Sequence, residues 1–250
     1  MLTHAQTINR QSSAAPLYTQ IVENLLERIE AGELVPGDRL PSERDLSETL
    51  GVNRLTLRRA LRVLEERGLL VRRQGAGTYI AAPKIERPAG RLTSFTRGMQ
   101  RRGLIPGARI ILFEERPLER AAAEELALPV GSPGYVVHRL RLLNQEPVLL
   151  ERYLIPADRF PDLAQHDLVN RSMYAIMQSE YGVVVGRARQ SLEPVVATEY
   201  EAELLGVRPG APLMLERRLS FDQDGRPVEQ GKDLYRGDRF RFVTEMAPLE

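Results

Sequence analysis

Pro41-Ser42-Glu43-Arg44-Asp45-Leu46, then Gly51-Val52-Asn53-Arg54-Leu55-Thr56-Leu57-Arg58-Arg59-Ala60-Leu61, then Leu69-Leu70-Val71-Arg72-Arg73-Gln74-Gly75-Ala76-Gly77-Thr78-Tyr79-Ile80 is the stretch on which the fold turns. Ser42 is a good N-cap, Asp45 is a weak capping-box partner, and Leu46 and Leu50 set an apolar stripe. Gly51 suits the left-handed residue that ends such a helix, because it has no Cβ to clash. Asn53 can cap a second helix, in which Leu57, Ala60, Leu61 and Leu64 recur at helical spacing. Helix, tight turn and helix make a helix-turn-helix. Two β-prone runs, 69–72 and 78–81, flank the glycines of Gln74-Gly75-Ala76-Gly77 and predict a hairpin directly after it.

The charge is concentrated in the same place. Arg54, Arg58, Arg59, Arg62, Arg67, Arg72 and Arg73 face only Glu65 and Glu66 over this span, while the whole chain has a formal net charge of +1. A DNA-reading helix needs its N-terminal residues at base edges and its basic flank near phosphates. Arg72 and Arg73 bring the hairpin within reach of phosphates or a minor groove. A solvated helix face explains an isolated arginine run, but not the turn, the caps and the hairpin together.

These motifs, with Leu17-Tyr18-Thr19-Gln20-Ile21 and Pro36-Gly37-Asp38-Arg39-Leu40-Pro41-Ser42-Glu43-Arg44, resemble the winged helix-turn-helix of the GntR family over about residues 16–81. The resemblance implies contact with double-stranded operator DNA through Arg44, Asn53, Arg54, Thr56, Arg58 and Gly75, to which the charge pattern adds Arg72. Asn53 replaces the usual Ser or Thr, and Leu55 stands where smaller residues are common. Asn still caps, so an altered operator preference is expected rather than lost binding.

Working outward, 250 residues suit one or two domains, each able to bury a core. Hydrophobic and charged fractions of 42% and 28% are those of an ordinary globular chain. There is no cysteine, and His4, His138 and His166 are scattered, so neither a metal nor a cofactor is expected. No apolar run approaches the roughly 20 residues of a membrane span, and the start lacks a secretory apolar region, which predicts a cytoplasmic protein. Residues 1–15 are expected to form a disordered lead, and residues 17–31 an amphipathic helix behind the helix-turn-helix. Pro83, Pro88 and Gly90 mark residues 82–90 as a linker, since proline withholds a backbone donor.

Residues 91–250 read as a different texture, with strands joined mostly by hairpins. That predicts an α+β domain with an antiparallel sheet and helices to one side. A repeat supports it. Leu128-Pro129-Val130-Gly131-Ser132-Pro133, Arg139-Leu140 and Pro147-Val148 recur as Val207-Arg208-Pro209-Gly210-Ala211-Pro212, Arg218-Leu219 and Pro227-Val228, at an offset of 79 rising to 80. Two helix–hairpin copies suggest a pseudo-symmetric sheet with a pocket between halves. Arg139 and Arg141 share a face at i, i+2, and a hairpin centred on Gln145 sets Arg139 opposite Glu151 and Arg141 opposite Leu149. Paired guanidiniums suit phosphate or carboxylate.

This half also resembles the effector-binding (UTRA) domain of the HutC subfamily, a domain similar in fold to chorismate lyase. The likeness rests on Leu92-Thr93-Ser94-Phe95-Thr96, Arg139-Leu140-Arg141, Arg171-Ser172-Met173-Tyr174, Pro227-Val228-Glu229 and Tyr235-Arg236-Gly237-Asp238. It implies an effector pocket lined by Ser94, Phe95, Thr96, Arg139, Arg141, Glu151, Ser172, Tyr174, Glu229 and Tyr235. The reading is a ligand-responsive transcriptional regulator, a homodimeric repressor released by a small anion. A phosphorylated sugar or amino sugar leads, an imidazole acid such as urocanate follows, and a fatty acid comes last. A chorismate-lyase-like enzyme would need a poised acid or base and no DNA-binding head. An architectural DNA binder would leave the charged pocket without a use.

Overall fold

The computed structural model describes residues 15–73 and 75–246, so all but Ala15 of the expected lead, and Gln74 of the hairpin tip, lie outside the described residues. The chain divides into two units between Ile85 and Glu86.

In the first unit, helix α1 (Leu17–Glu30) turns Ile21, Val22 and Leu25 inward. Helix α2 (Glu43–Leu50) starts where Ser42 Oγ accepts the Asp45 N–H at 3.2 Å, and ends at Gly51 with φ +65°. Helix α3 (Arg54–Glu66) starts where Asn53 Oδ1 accepts the Thr56 N–H at 2.8 Å. Both caps fall where the sequence places them. Strands β1 (Leu70–Arg73) and β2 (Gly77–Ile80) form the hairpin, with Leu70 opposite Ile80. Leu57, Leu61, Leu64, Ile21 and Leu46 meet in one core. Each such side chain contributes about 1.5–3 kcal/mol on burial, which fixes the pose of α3 more firmly than its exposed arginines do.

The second unit holds β3 (Ile85–Pro88), α4 (Phe95–Gln100), β4 (Pro106–Pro117), α5 (Arg120–Glu125), β5 (Pro133–Leu143), β6 (Glu146–Pro156), α6 (Met173–Tyr181), β7 (Val185–Val196), α7 (Glu199–Leu205), β8 (Pro212–Asp222), β9 (Pro227–Arg236) and β10 (Phe240–Val243). Six strands make an antiparallel sheet in the order β4-β5-β6-β9-β8-β7. The repeat explains that order. β4, α5, β5 and β6 recur as β7, α7, β8 and β9, so the halves meet at β6 and β9 about an approximate twofold.

Two expectations need correction. Helices cover both faces of the sheet, not one. Alternate residues of β5 are apolar on either side: Val137 packs with Met173, Ile176 and Met177 of α6, while Leu140 packs with Ala202 and Leu205 of α7. The stretch expected as a linker, 82–90, contains β3, which pairs with β10 in a separate two-stranded sheet. Pro88 stands at the end of that strand, where a missing donor costs little.

The register of β5 and β6 is the expected one, Arg139 opposite Glu151 and Arg141 opposite Leu149. It is reached through a bulge. The tight turn at Asn144 and Gln145 pairs Leu143 with Glu146, and a one-residue shift after Leu142 restores the predicted partners.

Candidate functional site

Two constellations stand apart, one in each unit. On the first, Arg44, Asn53, Arg54, Leu55 and Arg58 are exposed around the start of α3, with Thr56 half-buried among them. Arg58 Nε lies 2.6 Å from Glu43, and Arg72 Nη2 lies 2.8 Å from the other oxygen of the same carboxylate. Glu43 therefore ties α3 to the hairpin, and the Arg58 hydrogen bond holds its carboxyl below the usual range. Arg72 also reaches Glu65 at 3.3 Å. Arg44 sits 3.4 Å from Asp45. Gly75, with φ +72°, has open space where a side chain would stand. Two arginines turn back onto their own unit: Arg59 stacks on Tyr18 at 3.9 Å and Arg73 on Tyr79 at 4.7 Å.

In the second unit a cavity of about 30 Å³ opens on the α6 face of the sheet. Eight expected residues line it: Ser94, Phe95, Thr96, Arg141, Glu151, Ser172, Tyr174 and Tyr235. Arg141 Nη2 donates to Thr96 Oγ1 at 2.9 Å, and its guanidinium stacks on Phe95 at 4.7 Å. Ser94 caps α4, its Oγ accepting the Arg97 N–H at 3.4 Å.

The other two expected residues do not line it. Arg139 is spent on Glu151, at 2.7 and 3.1 Å, and on the Leu168 carbonyl at 2.8 Å. Glu229 accepts from Ser220 at 2.6 Å and from Tyr174 and Arg218 at 2.9 Å. Both hold the pocket wall in place from behind.

Sequence reasoning missed Arg87, Glu216, Arg218 and Asp233, all of which line the cavity. Arg218 donates to Glu229 and Asp233 at 2.9 Å and lies 3.2 Å from Glu216. Its counterpart at the repeat offset is Arg139, so the repeat itself carried the signal. Opposite Arg218 stands Gly231, where an added Cβ would come within 2.6 Å of the guanidinium. The counterpart of Gly231 is Glu151, at the offset of 80. The second copy has thus traded a carboxylate for room.

The charge in this chamber is balanced but poorly satisfied. Arg87, Arg139, Arg141 and Arg218 stand against Glu151, Glu216, Glu229 and Asp233. Among the described residues seven buried side-chain N or O atoms lack a hydrogen-bond partner. Five of them belong to this cluster: Arg87 Nε, Arg141 Nε, Glu216 Oε2, Glu229 Oε2 and Asp233 Oδ1. Buried polar groups left unpaired cost about 1–3 kcal/mol each, so their convergence marks a place built for polar company.

Glu151, Asp233 and Glu216 are directly opposite one another across β6, β9 and β8. Burial pushes the Asp233 carboxyl up to about 7; Arg218 opposes this, but it is shared among three carboxylates, while Glu151 and Glu216 add to the shift. Glu151 goes the other way, because Arg139 and Arg141 outweigh its burial. The sign for Asp233 is clear. The folded state keeps a proton that the unfolded chain, with its ordinary value of 3.8, releases. This group's contribution therefore falls as pH rises from about 4 to about 7 and is flat above. Asp233→Asn should remove that slope, as read from urea midpoints at about pH 5 and about pH 7.5.

Comparison with known proteins gives matches in both units. Residues 17–80 match the family described as bacterial regulatory proteins, gntR family, and residues 101–241 match the UTRA domain. The HTH-type transcriptional repressor NagR of Bacillus subtilis (strain 168) is 40% identical over 246 residues, 97% of this chain and 99% of that protein. The mannosyl-D-glycerate transport/metabolism system repressor MngR of Escherichia coli (strain K12) is 32% identical over 228 residues, 91% of this chain and 95% of that protein. The crystal structure of PhnF from Mycobacterium smegmatis aligns with a TM-score of 0.65 at 33% identity, covering 90% of this chain and 99% of that one. Among the described residues no helix is long and apolar enough to cross a membrane.

Proposed function

The chain belongs to the gntR family of bacterial regulatory proteins and carries a UTRA domain, so it is a transcription regulator and not an enzyme; on that premise we propose that it is a homodimeric repressor released from its operator by a small anionic metabolite. The observation that carries the effector half is the set of orphaned polar atoms around the cavity behind Arg141. Arg141 takes the anionic group, and Thr96 and Ser172 supply neutral contacts. Glu151, Glu216 and Asp233 accept from hydroxyls or an amine. A phosphorylated sugar or amino sugar fits this set best and a urocanate-like acid second. Carboxylates would be wasted on an acyl chain. The name of MngR includes mannosyl-D-glycerate, a hydroxylated and anionic compound of the same chemical character.

At about 30 Å³ the cavity holds roughly one water, so a sugar enters only if the lining moves apart. That displacement is the switch. A ligand shifts an equilibrium only by binding one arrangement better than the other, and a coupling of about 1–3 kcal/mol weakens operator binding roughly 5- to 150-fold.

On the operator, Arg54 and Arg58 read bases from the start of α3 with Asn53 and Thr56. Arg44, Arg72 and the Gly75 backbone hold phosphates or the minor groove. Two recognition helices on a symmetric operator raise the affinity of each short half-site. Selection from random duplexes by the full chain should enrich an inverted repeat; enrichment of no sequence would end this reading. Arg72→Ala should weaken all sequences alike and lower the salt slope by about 1.

Leu55, 78% exposed beside these residues, supplies an apolar surface that suits a thymine methyl. Thymine-to-uracil exchange at the contacted position should weaken wild type about fourfold, the worth of one buried methyl (~0.8 kcal/mol). Leu55→Ala should be indifferent to the exchange.

A further inference from the structure

The opposite face of the sheet carries a row of basic residues that neither site uses. His138, Arg152, Lys232 and Arg217 are in direct register across β5, β6, β9 and β8, and the approximate twofold falls between Arg152 and Lys232. Three of them adjoin the acidic row in sequence, Arg152 after Glu151, Lys232 before Asp233 and Arg217 after Glu216. Neighbours along a strand point to opposite faces. Of these two adjoining rows, the one on the cavity side is therefore acidic, offset there by Arg139, Arg141 and Arg218, and the one on the reverse is basic.

Like charges directly opposite on adjacent strands destabilise a sheet, and this row is not neutralised by the fold. Arg217 has Glu193 at 3.0 Å. Among the described residues no carboxylate lies within ion-pair distance of Arg152, Lys232 or Arg189. The field is felt nearby: His138 is held below its ordinary value by burial and then by Arg152, with Glu201 opposing and Lys232 adding to the shift.

Arg152, Lys232 and Arg217 floor a groove of about 680 Å³, with Arg116 and Arg189 at its edges and Leu118, Leu154 and Leu219 as its apolar part. The size is that of a metabolite site. Glu119 and Glu125 on the α5 side leave the lining with a surplus of positive charge. We propose that this groove binds a multivalent organic oxyanion, a phosphorylated or polycarboxylated metabolite, at a site across the sheet from the cavity behind Arg141, with Arg218 and Gln190 bordering both. Strands lie about 4.8 Å apart, so the row from Arg152 to Arg217 spans roughly 10 Å, which suits two charged groups on one molecule better than one.

The chain offers a local reporter, for its lysines are Lys84 and Lys232 alone. Amine acylation of the full chain, read by mass spectrometry, is followed with pyrophosphate or citrate against sodium chloride at equal ionic strength. At ten times the dissociation constant, Lys232 labelling should slow about tenfold while Lys84 is unchanged. Arg152→Gln/Arg217→Gln should abolish the protection; Arg152→Gln alone should weaken it and serves if the double variant fails to fold. Equal protection by chloride, or protection that persists in the variants, overturns the proposal. Protection that rises with protein concentration before any anion is added would assign the groove to a second copy instead. Protection by duplex DNA alone would assign it to the operator.

Discussion

Arg218→Ala is expected to cost the second unit about 3–5 kcal/mol, the usual result of removing one partner from a buried ion cluster. The guanidinium is shared by Glu229 and Asp233 at 2.9 Å and by Glu216 at 3.2 Å, and all four residues are buried. Alanine removes the guanidinium that these three carboxyls share, leaving Asp233 opposite Glu216, and Glu229 with only its Ser220 and Tyr174 hydrogen bonds. Urea unfolding of the full chain should show the second unit's transition moving far down while the first unit's stays in place. Adding Asp233→Asn and Glu216→Gln should recover part of the loss, because neutral amides are cheaper to bury than charges. A loss below about 1 kcal/mol would mean that Arg218 behaves as a surface pair.

Arg141→Ala should abolish the effector response and leave operator affinity within a few-fold of wild type. The expected coupling of roughly 5- to 150-fold falls to none. Arg141 is the cavity-lining member of the arginine pair, its Nε lacks a partner, and its closest approach to Glu151 is 3.5 Å. Its loss therefore removes the proposed anion contact while Glu151 keeps Arg139 at 2.7 Å. Arg139→Ala is the contrasting variant. It strips Glu151 of its main partner, so it should read first as instability. Titration of operator release against ligand, with melting curves for both variants, separates the two roles.

The sequence made the first unit legible almost residue by residue, because its signals are local. Ser42, Gly51 and Asn53 act on backbone groups within three residues of themselves, and the apolar stripes of α1 and α3 fold onto one core. The second unit was legible only where partners share a hairpin. Arg139 and Glu151 lie 12 residues apart, and their pairing followed from the turn. Asp233 meets Glu151 only because β6 and β9 join at the centre of the sheet, and that junction follows from the symmetry of the repeat rather than from any turn. Arg87 enters the cavity through β3, a strand hidden by prolines and completed by β10. Carrying the role of Arg139 to Arg218 at the offset of 79 would have found the strongest missing charge. Gly231, which makes room for it, has no side chain to attract notice.

Calorimetric titration of the full chain with an aminohexose 6-phosphate, its unphosphorylated parent sugar and urocanate tests the central claim most directly. Saturable binding of an anionic compound, lost in Arg141→Ala and far weaker for the uncharged parent, is the predicted result. Tight binding of an uncharged ligand, undiminished in Arg141→Ala, would contradict it.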